Sequence, residues 1–276
     1  MKTWALIVDT WREALARFTL LGFLAASVLF LLILTFAVNL DIVDGTLAAG
    51  TLFGQALELH GGKPAIDQVV TTGLSVFAGM LYALGVFLAV FATGSQVPHL
   101  VRRGTVDLYL ARPVTRTHVL LGRFVGAMTL VAANLAFLCG GVFVIISIKT
   151  GVWNLRFLAA AGLIYLVFLS FLGFMYLIGV LSGSTPLSIM LPYALYLLSM
   201  PLAAHDKIEA AMDSRFWAGV VRALYWILPK TAEIGRDMVR LVMGQGGPSA
   251  TLLLTTAAFG LGCLVLATVV FQRKNF

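Results

Sequence analysis

An all-α fold of six membrane-crossing helices is what this sequence predicts, and three observations predict it. Of the 276 residues, 60% are hydrophobic and only 11% charged, where a soluble domain carries about 25% charged residues. Six apolar segments approach the roughly 20 helical residues that a bilayer core demands. Lysine and arginine favour the N-terminal segment, the link after the second segment and the C-terminus over the two shorter intervening loops, as they favour cytoplasmic segments. The net charge of +7 therefore marks loops and headgroup contact, and membrane lipid rather than nucleic acid is the expected partner.

Residues 1–17 read as an amphipathic helix lying in the interface. Trp4, Ile7, Val8, Trp11, Leu15 and Phe18 recur at three- and four-residue steps, with Lys2, Asp9, Arg12, Glu13 and Arg17 mostly off that stripe. Thr10 and Glu13 have capping-box spacing, so a restart of the helix at Thr10 is expected. The spans are expected near 18–38, 69–93, 119–146, 157–181, 187–204 and 251–271. The first is too long for a signal-peptide core and is expected to stay as an anchor. The fifth is short and holds Pro192 and Pro201, so a full crossing and a kinked or re-entrant course both remain open.

With both termini in the cytoplasm, Lys2, Arg12, Arg17, the arginines of the link 95–118, Arg273 and Lys274 all lie inside. The loop 205–250 then lies outside although it carries six basic residues against five acids; if the fifth segment does not cross, the loop is cytoplasmic and the C-terminus outside. It carries two further amphipathic stripes, Phe216–Leu228 ended by Pro229 and Ile234–Val242 ended by Gly244. These predict two short helices on the outer membrane surface or dipping into it.

Several chemistries are excluded. No phosphate loop, G-x-S-x-G nucleophile or H-E-x-x-H pair is present, so no catalytic residue is assigned and the chain is not read as an enzyme. His60, His99, His118 and His205 lack metal-ligand spacing. Cys139 and Cys263 fall in apolar segments and are expected as free thiols. The middles of the six predicted spans hold no Asp, Glu, Lys, Arg or His, which disfavours a proton-coupled carrier.

The link between the second and third spans carries the functional signal. Pro98 can open a short turn through Arg102 and Arg103, and Gly104 can end it. Thr105 can cap a helix through Ala111, which Pro113 stops, and Thr115 or Thr117 can cap the third span. That short helix would present Leu108, Tyr109 and Leu110 beside Asp107, an apolar tip with a charged rim suited to docking in a groove of another protein. Gly122 and Gly126 form a small-xxx-small pair that lets helices approach. Asn134 is the most polar side chain deep in a span, and Tyr165 and Tyr176 are candidates to line a pathway.

The run Gly104–Gly126 resembles the signature region of ABC type-2 transporter permeases. The matching positions are Gly104, Leu110, Pro113, Arg116, Leu121, Gly122, Arg123 and Gly126. Val101, Arg102 and Arg103 stand where many members carry an acidic residue. The resemblance implies a permease subunit of an ATP-driven exporter in a prokaryotic inner membrane, paired with a second permease copy as homo- or heterodimer. Two ATPase subunits would hold ATP and magnesium, this chain binding no cofactor, and would grip a coupling helix in the link. Pro98, Arg102, Arg103, Gly104, Asp107, Leu108, Leu110, Pro113 and Arg116 are then the coupling residues. The competing reading is a non-transporting membrane scaffold that anchors a cytoplasmic ATPase through the same link.

Overall fold

A computed structural model describes residues 2–16, 19–43, 46–52, 55–56, 66–96, 98, 115–212 and 214–274. The chain is a helical membrane protein. In order it forms α1 (Lys2–Ala16), α2 (Thr19–Ala37), α3 (Ile66–Thr93), α4 (Arg116–Thr150), α5 (Leu155–Ser182), α6 (Thr185–Leu202), α7 (His205–Ala210), α8 (Arg215–Ile227), α9 (Thr231–Val242) and α10 (Ala250–Arg273). Between α2 and α3 lies a departure from an all-α chain: β1 (Val38–Val43), β2 (Thr46–Leu52) and β3 (Gln55–Ala56) pair antiparallel in that order. The register runs from Val38 opposite Leu52 to Val43 opposite Thr46.

Helices α3, α4, α5, α6 and α10 are each long and apolar enough to cross a membrane. A sixth span arises when α2 is counted together with α1, from which it is bent by 71°. The predicted segments match these helices to within a few residues. Helix α6 keeps Pro192 and Pro201 inside it and, at 18 residues, is about 27 Å long. That is just short of a typical ~30 Å hydrocarbon core.

Polar caps fix the helix ends. Thr115 is the N-cap of α4 and accepts from the His118 amide at 3.3 Å. Gly151 and Gly183 end α4 and α5 at φ 75° and 64°, left-handed values that glycine adopts without a Cβ clash. Thr10 does not restart the first helix. Its hydroxyl donates to Leu6 O at 2.9 Å within a continuous α1, so the capping-box spacing is satisfied by an ordinary in-helix bond.

At one end of the bundle, here termed the link end, Arg116 donates to Lys274 O at 2.6 Å and Lys274 Nζ donates to Val180 O at 2.7 Å. The starts of α4 and the ends of α5 and α10 are thereby tied together. Helices α5 and α10 run parallel and closely. Ser170 Oγ donates to Thr256 O, and Gly173 and Gly260 meet backbone to backbone. In lipid no hydrophobic force drives helices together, so such small-residue contacts and interhelical hydrogen bonds supply the cohesion.

Candidate functional site

The first functional region is the root of the link. Residues 99–114, including Arg102, Arg103, Gly104, Asp107, Leu108, Leu110 and Pro113, lie outside the described residues. Pro98 is buried, and Arg116 holds the α10 carbonyls as described. Just beyond, α1 lies along α4 and three signature residues receive it. A Cβ on Gly122 would stand 2.7 Å from Leu6 Cδ1, and one on Gly126 would stand 2.6 Å from Thr10 Oγ1. Between them Arg123 reaches Glu13 Oε2 at 2.6 Å and Asp9 Oδ2 at 3.4 Å. Trp11 Nε1 adds a hydrogen bond to Thr129 Oγ1 at 3.1 Å. The face of α1 that meets α4 is therefore Leu6, Thr10 and Ala14 with the acids beside them, while Trp4 and Leu15 of the predicted stripe are exposed. The glycines pack α1 within the chain, and the acids that the periodicity assigned to solvent are ion-paired.

The second region is a cavity of about 170 Å³ between α2, α3, α4 and α5. Asn134 and Tyr165 both line it. Asn134 Nδ2 donates to Ser27 Oγ at 3.0 Å, which bonds α4 to α2. Tyr176 lies elsewhere: it is buried in the core, edge-on to Phe124 at 5.2 Å between ring centroids. Two of the three predicted pathway residues thus come together and the third does not.

The third region holds the two short helices expected between the fifth and sixth spans. Helices α8 and α9 form a hairpin, and α9 buries Thr231, Ile234, Met238 and Val242 instead of resting on the membrane surface. Its far end meets the start of α5, where Asn154 Nδ2 donates to Val242 O at 3.1 Å. Its near end reaches the middle of the bundle. The Lys230 amide donates to Thr256 Oγ1 at 3.3 Å, and Thr256 is the partner of Ser170. Ser170 lies about 22 Å along α5 from Leu155 and about 18 Å from Ser182, at 1.5 Å per residue. The tip of the hairpin therefore sits beside the middle of α5, about 9 Å along α10 from its start.

Backbone at that depth must find partners inside the protein, and here it does. Pro229 carries no N–H to satisfy. The Thr231 carbonyl accepts from Tyr82 OH at 2.6 Å, and the Thr231 hydroxyl pairs with Ser199 Oγ at 2.5 Å. The Lys230 side chain, in a residue only 6% exposed, donates to Thr255 Oγ1 at 3.2 Å. Its ammonium stands 4.5 Å from the ring centroids of Tyr225 and of Trp226, a cation–π cage. A lysine thus stands beside the middle of a span although no predicted span contains one. Pro229-Lys230 between two amphipathic stripes was the available signal, hidden because the whole loop reads as external.

The flank of the hairpin is polar. Arg222 forks onto Glu209 Oε2 at 2.6 and 3.1 Å, and His205 stacks on Tyr225 at 3.6 Å. Among the described residues no group of three or more His, Cys, Asp or Glu is placed to hold a metal ion. Cys139 and Cys263 are free and buried. Compared with known proteins, the chain matches no family model and no curated sequence.

Proposed function

We propose that this chain is the membrane-spanning permease subunit of an ATP-driven exporter, working as a pair of permeases with two separate ATPase subunits. The observation that supports the reading is that four of the matching residues, Arg116, Gly122, Arg123 and Gly126, tie helices together at the root of the link. Directly after the arginine-rich link, Gly122, Arg123 and Gly126 clamp α1 onto α4. Arg116 and Lys274 bind α4, α5 and α10 together at the start of α4, about 9–15 Å nearer the link. A force applied to the link would be delivered to four helices at once.

In this reading the link end faces the cytoplasm of a prokaryotic cell, with both termini there. The ATPases hold ATP and magnesium and grip the link through Asp107, Leu108 and Leu110. Their closure tilts the permease halves. The described ionisable groups suit a driven permease. Arg123 is paired with its two acids, and Lys230 is a caged, hydrogen-bonded charge, which is a structural use of a buried cation more than a relay. Leu110→Asp or Asp107→Arg should abolish co-purification with the cognate ATPase while membrane insertion stays intact. Unchanged ATPase recovery with both variants refutes the coupling role.

A further inference from the structure

The cavity between α2, α3, α4 and α5 has features that the permease reading does not use. Its mouth opens sideways. Ala26 on α2 and Met80, Leu84 and Leu88 on α3 line it and are exposed, on helix faces that hydrocarbon covers in a bilayer. Phe30 closes one side by packing edge-on to Phe77 at 6.2 Å. The deep wall is formed by Leu135, Leu138 and Phe168, all buried. Two of the three polar side chains named on the wall are occupied with each other, because Asn134 donates to Ser27 and Ser27 donates to Phe23 O at 3.0 Å, which leaves the Tyr165 hydroxyl as the third. A polar ligand has little to bond there. The volume is close to that of an engineered ~150 Å³ apolar pocket that stays dry and takes benzene. An empty void of this size forfeits the dispersion contacts of its lining, and the mouth opens onto acyl chains.

We infer that the cavity is a lateral binding site for one acyl chain of a bilayer phospholipid, inserted between α2 and α3. Gly85 offers a direct plug. It lines the cavity, and a Cβ added there meets nothing within 4 Å. The full chain is reconstituted in phosphatidylethanolamine–phosphatidylglycerol vesicles doped with a phosphatidylcholine carrying a mid-chain diazirine. It is then irradiated and mapped by mass spectrometry. The expected result is label on Leu135, Leu138 or Phe168, which a lipid outside the bundle does not reach. Gly85→Leu should lose that label while Phe91, on the exposed face of α3, keeps its own. Ala26→Leu plugs the cavity from the α2 side and decides the matter if Gly85→Leu fails to fold. Absence of label on the deep wall of the wild-type protein overturns the inference, as does label that survives plugging. Labelling of the wall by a small free aryl diazirine but not by the lipid also overturns it, assigning the cavity to a free apolar molecule.

Discussion

The clamp between α1 and α4 gives a prediction whose size follows from exposure. The side chain of Arg123 is 4% exposed, that of Glu13 22% and that of Asp9 47%, with Glu13 the closer partner at 2.6 Å. Arg123→Met keeps the volume and removes the charge, leaving two carboxylates against the α4 surface. Removing one partner of a fully buried pair costs roughly 3–5 kcal/mol. Water reaches part of both acids here, so about 2–3 kcal/mol is expected. Glu13→Gln should cost about 1–2 kcal/mol, since Asp9 still faces the guanidinium. In the double variant no carboxylate at position 13 is stranded, so it should cost less than the sum by about 1–2 kcal/mol. Asp9→Asn should cost under about 1 kcal/mol. Unfolding of the purified protein by sodium dodecyl sulfate titration, with thermal scans in a non-ionic detergent, measures all four. Additivity of Arg123→Met and Glu13→Gln within about 0.5 kcal/mol would refute the clamp.

Three further outcomes are expected. Gly173→Ala or Gly260→Ala should destabilise by about 3 kcal/mol or more, because each new Cβ meets the backbone of the facing helix. Gly85→Ala, which meets nothing, is the thermal-shift control. Pro229→Cys should resist a membrane-impermeant maleimide both in intact cells and in inside-out membrane vesicles, whereas Gly246→Cys, in the exposed turn before α10, should label in one of the two preparations only. The native thiols are buried and should stay silent. Asn134→Leu should lower stability by about 0.6–1.7 kcal/mol, the range for an interhelical hydrogen bond in lipid, and Ser27→Ala in the same background should add little.

The sequence was most legible where one physical rule acts alone. Span positions follow from the length of apolar segments, and a threonine N-cap on α4 follows from the need to satisfy an amide of the first helical turn, with the structure choosing Thr115 over Thr117. It was least legible where tertiary contact overrides periodicity. The stripe of Trp4, Ile7, Val8, Trp11 and Leu15 suggests a helix floating in the interface, yet the decisive face is Leu6, Asp9, Thr10 and Glu13. Those residues earn their place only because Gly122, Arg123 and Gly126 lie opposite, more than a hundred positions away. The stripe of α9 leaves a surface course and an inward one both open. An apolar face of Ile234, Met238 and Val242 fits a membrane surface or a protein core equally well, and the core takes it. Nothing local distinguishes the two environments. The polar residues that escort the tip inward, Tyr82, Ser199 and Thr256, sit on three different helices.

Helices α1 and α9 have a shared consequence for how the molecule moves. Helix α1 locks onto α4, and the α9 hairpin is bonded to α3 through Tyr82, to α6 through Ser199, to α5 through Asn154 and to α10 through Thr255 and Thr256. The Gly173–Gly260 contact and the Ser170 bond then fasten α5 to α10. Sliding one span past its neighbours would break several of these contacts beside the middle of α5, where no water replaces a lost hydrogen bond. Motion inside the bundle is therefore costly, and motion of the bundle as a unit is not. If a partner drives the link, the displacement must appear at the outer faces of the bundle, against lipid or a second copy. Crosslinks placed within the chain, such as one between α5 and α10, should then leave the driven cycle intact, while crosslinks between copies should stop it.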